Sequence, residues 1–179
     1  MDAPGQGVDT SAGWQDELFE CLLREKIQQV PYVPDNGHAR IIERAHADPG
    51  MLAYPLTTEE EGVAAVCGAW LGGQRAVLLM QSSGVGNCIN MLSLISNCRF
   101  PFLTIVTMRG EWGEFNPWQV PMGRAAGKAM ELMGVSVRRV EEPDQVGPVV
   151  ETALHDVFLS DQAVAVLLSQ TLLGRKDWT

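Results

Sequence analysis

Glu59, Glu60 and Glu61 stand in a row within Thr57-Thr58-Glu59-Glu60-Glu61-Gly62-Val63, where an extended segment meets an apolar, Ala-rich helix. Carboxylates in a first helical turn complement the positive end of the helix dipole. A carboxylate that points out of a helix start into a cleft can instead hold or move a proton. Thr58 followed three residues later by Glu61 forms a capping-box pattern, so Glu61 is expected to cap. Glu60 is expected to be solvated or at a subunit contact. Glu59 precedes the helix body and is the freest to meet a ligand.

A strand-like run, Ala76 to Met80, leads into Gln81-Ser82-Ser83-Gly84-Val85-Gly86-Asn87. A carboxylate at one strand-to-helix junction and a Gly-rich turn at the next can face each other across one sheet edge, an active-site geometry in α/β proteins. The turn is not a dinucleotide fingerprint, because Ile89 stands where the third Gly belongs, and no Walker sequence occurs. It either brings backbone close to a ligand or makes a tight connection. The polar Gln81, Ser82, Ser83 and Asn87 suit ligand contact.

Arg109 ends another apolar strand and opens a long loop to Val120 that contains Gly110, Trp112, Gly113, Pro117 and Trp118. Arg109 either binds an anion or anchors the loop through Glu111 or Glu114. The two tryptophans suit a partner interface or a hydrophobic lid. His38, His46 and His155 are isolated and read as surface or satisfied helix residues. No Ser-His-Asp order or G-x-S-x-G elbow is present.

The elements that must position these groups follow from periodicity. Helices are expected over 14–26, 38–46, 58–71, 86–97, 122–133 and 143–159, and strands over 29–33, 51–56, 75–80, 100–108, 135–140 and 163–168. The turn Pro34-Asp35-Asn36-Gly37 follows the first strand. The strands are continuous apolar runs, which indicates a parallel sheet covered on both faces. The expected fold is α/β, a doubly wound, mostly parallel six-stranded sheet with helices on both faces. Residues 1–12 read as a disordered leader, 13–174 as a single domain and 175–179 as a tail.

The chain has 179 residues and a formal net charge of −9. Such acidity argues against nonspecific nucleic-acid or anionic-membrane binding. Cys21, Cys67, Cys88 and Cys98 form no C-x-x-C pair and lie at no zinc spacing; they read as reduced, mostly buried thiols of a cytoplasmic protein. No signal peptide and no apolar run of membrane-spanning length is visible.

Glu59, Gly68 nine positions later, a strand and then Gly-x-Gly-Asn together resemble the pyrimidine-binding domain of thiamine-diphosphate enzymes. Glu-Glu-Glu-Gly-Val, Leu-Met-Gln-Ser-Ser-Gly-Val-Gly-Asn, Met-Arg-Gly and Gln119-Val120-Pro121-Met122-Gly123 are similar to the α subunit of sulfopyruvate decarboxylase, with the phosphonopyruvate decarboxylases as near relatives. The similarity spans residues 14 to 170. It implies that Glu59 hydrogen-bonds N1′ of the aminopyrimidine and promotes loss of the C2 proton that begins decarboxylation of a 2-oxo acid. It implies cofactor contacts for Gln81, Ser82, Gly84, Gly86 and Asn87, and substrate contacts for Asp35, Asn36, Arg109 and Gln119. No metal ligand is implied in this chain. Gly-Asp-Gly, the mark of the diphosphate-binding domain, is absent. A β subunit is therefore expected to hold the diphosphate and Mg²⁺, in a hetero-oligomer of two copies of each subunit or more. The aromatic and acidic loop departs from what a sulfonate dianion requires, so the resemblance leaves room for a bulkier or less charged 2-oxo acid. A carboligase of the same superfamily and a non-catalytic, flavodoxin-like regulatory subunit remain alternatives.

Overall fold

The computed structural model describes residues 12–174. The expected leader, apart from Ala12, and the expected tail lie outside the described residues. Helix α1 (Ala12–Arg24) buries Trp14, Leu18, Phe19 and Leu22, the residues whose spacing foretold it. Lys26 turns the chain through the left-handed region (φ 56) into strand β1 (Ile27–Tyr32). A 3₁₀ turn, Asn36–His38, leads into α2 (Ala39–Ala47), then β2 (Leu52–Pro55) and α3 (Glu59–Leu71).

The strand expected over 75–80 is interrupted. It divides into β3 (Arg75–Ala76) and β4 (Leu78–Gln81), and both pair with β1. The register against β1 shifts here, and the Val77 N–H donates to the Gln29 carbonyl at 3.0 Å. The sheet therefore has seven strands rather than six. The remaining elements are α4 (Ser82–Cys88), α5 (Leu92–Cys98), β5 (Phe102–Thr107), α6 (Val120–Leu132), β6 (Ser136–Val140), α7 (Val146–Ser160), β7 (Ala163–Leu168) and α8 (Gln170–Leu173).

Every strand pair is parallel, and the order is β2-β1-β4-β5-β7-β6 with β3 beside β1. Helices α1, α2 and α7 cover one face, and α3 to α6 the other. Alternation along β5 shows how the sheet divides its core: Leu103 and Ile105 join the first cluster, Phe102 and Val106 the second. The chain runs from β1 outward to β2, then returns past β1 to β4. That reversal places a crevice at the carboxyl ends of β1 and β4, where ligands of open α/β sheets bind.

Cys21, Cys67 and Cys88 are buried free thiols and Cys98 is exposed. Burial pushes Cys67 up to about 11 and Cys88 up to about 12, so both stay protonated at neutral pH. Among the described residues no helix is long and apolar enough to cross a membrane.

Ile105 is fully buried at the centre of the sheet. Ile105→Ala is expected to lower unfolding free energy by about 2–5 kcal/mol, through lost transfer energy and the cavity left behind. Urea denaturation monitored by circular dichroism measures it; a loss under about 1 kcal/mol would contradict this account of the core.

Candidate active site

The three glutamates of α3 divide at its first turn. Glu59 is the first helical residue and only 8% exposed. Its Oε2 accepts a hydrogen bond from Asn87 Nδ2 at 2.8 Å. A Cβ on Gly84 would collide with the Glu59 side chain, Oε1 included. The glycine thus lets α4 lie directly against the carboxylate. Among the described residues no donor reaches Oε1. Glu59, Gly84 and Asn87 form one contact set across two successive strand-to-helix junctions.

Glu61 reaches back from the helix, but to the Thr57 N–H (2.9 Å) rather than to Thr58, and the Thr58 side chain makes no capping bond. Extended Thr58 (φ −145, ψ 162) leaves Thr57 as the amide that Glu61 engages. Glu60 is half-buried; its Oε2 is shielded and has no hydrogen-bond partner among the described residues.

The segment expected as a Gly-rich turn is helical from Ser82, and the helix expected over 86–97 is broken between Cys88 and Leu92. Its glycines serve contact rather than turning. Gly84 admits Glu59, and Gly86 lies against α6, where a Cβ would stand 3.2 Å from Met122 Sδ. Ser82 is fully buried and its Oγ accepts from the Arg109 N–H at 3.0 Å, tying the start of α4 to the end of β5.

Asp35 bridges the crevice between β1 and β4. Its Oδ1 accepts from Gln81 Nε2 (2.9 Å), and its Oδ2 from Thr107 Oγ1 (2.8 Å) and the Gly37 N–H (3.0 Å). Asn36 beside it is exposed. Of the two readings, surface or satisfied, His38 takes the second: it is fully buried and its Nε2 donates to the Met80 carbonyl at 3.2 Å. Burial pushes its pKa down, so it is a neutral structural group.

Arg109 takes the loop-anchoring alternative. Its Nε and Nη2 donate to Glu114 at 2.7 and 2.5 Å, and the side chains are only 9% and 3% exposed. Glu114 also accepts from the Gly110 N–H (3.0 Å), the Asn116 N–H (2.9 Å) and Gln170 Nε2 (3.0 Å). The guanidinium and these donors hold the Glu114 carboxyl down at about 2. Arg109 therefore commits its Nε–Nη2 edge to Glu114. Gln119, half-exposed, contributes its backbone to the loop base: a Cβ on Gly110 (φ +76) would lie 2.5 Å from the Gln119 carbonyl. Gly123 is equally constrained against the Arg109 carbonyl.

Two residues that organise this loop carried no sequence signal. Gln170 Oε1 accepts from the Glu111 and Trp112 N–H groups at 2.9 and 3.0 Å. Arg139 grips Glu111 with both terminal nitrogens at 2.7 and 2.8 Å.

No protein-family model matches the chain. It is 38% identical over 141 residues to the sulfopyruvate decarboxylase subunit alpha of Methanothermobacter thermautotrophicus, covering 76% of this chain and 83% of that one. The chain belongs to the sulfopyruvate decarboxylase subunit alpha family. The chain is also similar to longer ones: the phosphonopyruvate decarboxylase of Streptomyces viridochromogenes is 37% identical over 118 residues, which is 65% of this chain and 30% of that protein. Among solved structures, the thiamine diphosphate-dependent 4-hydroxybenzoylformate decarboxylase of Rhodococcus jostii RHA1 superposes with a TM-score of 0.67 at 13% identity, over 93% of this chain and 34% of the other. The family member described here thus has the fold of one third of a thiamine-diphosphate enzyme chain.

Glu114→Gln is expected to destabilise the protein by about 3 kcal/mol at pH 7, because it leaves Arg109 buried without a counter-charge. A carboxyl whose folded pKa is depressed from 4.5 to about 2 stabilises above the higher value and ceases to as pH falls through the lower. The difference between wild type and variant should therefore be full above pH 5 and shrink toward pH 2 in thermal melts. A difference that does not vary with pH would refute the assignment.

Proposed function

We propose that this chain is the α, pyrimidine-binding subunit of a two-subunit, thiamine-diphosphate-dependent decarboxylase of a 2-oxo acid. The observation that carries the reading is the state of Glu59: a nearly buried carboxylate with Oε2 held by Asn87 and Oε1 without a donor among the described residues, at the carboxyl edge of the sheet. Family membership supports the reaction class, and the fold supports the cofactor class.

The residues present fit the aminopyrimidine end of that cofactor. Asn87 fixes the Glu59 carboxylate, and Gly84 leaves its Oε1 side uncovered by a side chain of α4. A carboxyl at that place can share a proton with a ring nitrogen, and the surrounding apolar core strengthens the bond by lowering the local dielectric. Thiamine diphosphate, when bound, supplies the electron sink that decarboxylation requires. The contribution of this chain is to hold and move one proton at Glu59 and to keep the carboxylate oriented. Gln81, Ser82, Gly84, Gly86 and Asn87 line or shape the cofactor side; Gly86 does so by fixing the α4–α6 packing. Asp35, Asn36 and Gln119 stand toward substrate.

Three further parts of the reading go with it. The chain matches 83% of a subunit-length relative but 30% of a longer decarboxylase, and it contains no Gly-Asp-Gly. Both support a β subunit that holds the diphosphate and Mg²⁺, in a hetero-oligomer. The buried, unpaired thiols suit the reducing cytoplasm.

Glu59→Gln, reconstituted with the β subunit, is expected to lose at least about 10²-fold in kcat while keeping its melting temperature within a few degrees. Thiamine diphosphate affinity measured by calorimetry should weaken in parallel. Near-native turnover by the folded variant would sink the assignment.

A further inference from the structure

Helix α6 separates Glu59 from a second concavity. On one side α6 meets α4 through Met122, whose Sδ would stand 3.2 Å from a Cβ on Gly86. Further along, Gly127 faces the sheet, where a Cβ would lie 3.4 Å from Leu167 Cδ1 of β7 and 3.7 Å from Val137 Cγ1 of β6. Gly127, Leu167 and Arg139 line a cavity of about 480 Å³, which therefore lies over β7 and β6, with α6 between it and the Glu59–Asn87 pair. Its floor is apolar, from Met108 and Leu167, and Gly123 and Gly127 put no side chain into it. Its rim is basic. Arg124 and Lys128 line it and are exposed, and among the described residues neither side chain has a hydrogen-bond or ion-pair partner. They stand at i and i+4 on one helix face, where like charges repel. Arg139 joins them from β6. It commits Nη1 and Nη2 to Glu111 and Nε to Glu141, which leaves free one N–H on each terminal nitrogen. Two carboxylates also line the cavity: Glu111, offset by Arg139, and Glu131, three residues beyond Lys128.

We propose that this cavity binds a phosphate group, free or as the monoester of a small molecule, at a site separate from Glu59. Three positive groups reach it from a helix and from a strand, so they meet an anion from different directions. That suits a tetrahedral dianion, which offers oxygens on several sides, better than a planar carboxylate. The guanidinium of Arg124 can take two of those oxygens as a fork, and the Lys128 ammonium adds a compact charge beside it. An anion between the two would also relieve their mutual repulsion. Because Arg139 already offsets Glu111, the Arg124–Lys128 corner stays positive within a chain of net charge −9. The apolar floor leaves room for the neutral body of a monoester beneath the phosphate group.

The test is calorimetric titration of inorganic phosphate into the full chain and into its complex with the β subunit, with sodium chloride holding ionic strength constant. The expected result is saturable binding in both, with a Kd of about 1 mM or tighter. Arg124→Gln combined with Lys128→Gln should weaken it at least about tenfold while leaving the melting temperature unchanged, since both side chains are exposed and unpartnered. Glycerol 3-phosphate in place of phosphate distinguishes the sources: tighter binding marks a monoester and equal or weaker binding marks free phosphate, and either result supports the site. Saturating thiamine diphosphate should leave phosphate binding intact. Displacement of phosphate by thiamine diphosphate would locate the anion in the cofactor's own site and overturn the proposal. Binding to the free chain that disappears in the complex would mean that the β subunit covers the cavity, and overturns it as well. So does the absence of saturable heat, or an unchanged affinity in the doubly substituted chain.

Discussion

The approach of α4 to Glu59 is the constraint on which the site depends. A side chain at Gly84 would collide with the carboxylate, so the spacing between α3 and α4 exists only because that position has no Cβ. Close approach brings Asn87, one turn further along α4, to 2.8 Å from Oε2. The same short helix is tied at its start by Ser82 to the backbone of Arg109. Glu59 is therefore coupled through helix α4 to the loop after β5. A displacement at either end would be felt at the other, because the hydrogen bonds at both ends are short and direct.

Beyond β5 the organising charge is Glu114. It gathers the Arg109 guanidinium, two backbone amides and Gln170 from just beyond the carboxyl end of β7. Buried ion pairs are poor sources of net stability, but removing one partner is costly, which favours a single loop conformation. Conformational specificity is what this loop needs, since it must display three large rings to solvent without collapsing onto them.

The sequence made the architecture readable because each strand is short, apolar and bounded by helical periodicity. The β7 boundaries are matched residue for residue, and Gly72-Gly73 ends α3 as its composition indicated, with Gly73 at φ +77. Glu59 and its opposition to the Gly84 region were also legible. Less legible was what the glycines do. Gly84 and Gly86 read as a turn, because glycine favours turns, yet both sit in a helix, where a Cβ on Gly84 would collide with Glu59 and one on Gly86 would press on Met122. The fate of Arg109 was undetermined because Glu111 and Glu114 both lie within reach in sequence, and only the fold sends Glu111 to Arg139 instead. Gln170 was invisible for a simpler reason: its partners Glu111 and Trp112 lie 59 and 58 residues away, and no local pattern encodes that pairing.

The outer strand of the sheet has a consequence for the life of the protein in a crowded solution. A parallel sheet ending in β6 presents a line of backbone donors and acceptors with no neighbouring strand, which is a template for intermolecular pairing. This strand carries Arg138 and Arg139 side by side, so one charged side chain emerges on each face. Arg138 pairs with Asp156 on α7, while Arg139 pairs with Glu111 and Glu141. A second strand docking there would have to desolvate these charges. The arginine that steadies the loop thus also discourages the sheet from growing into an aggregate.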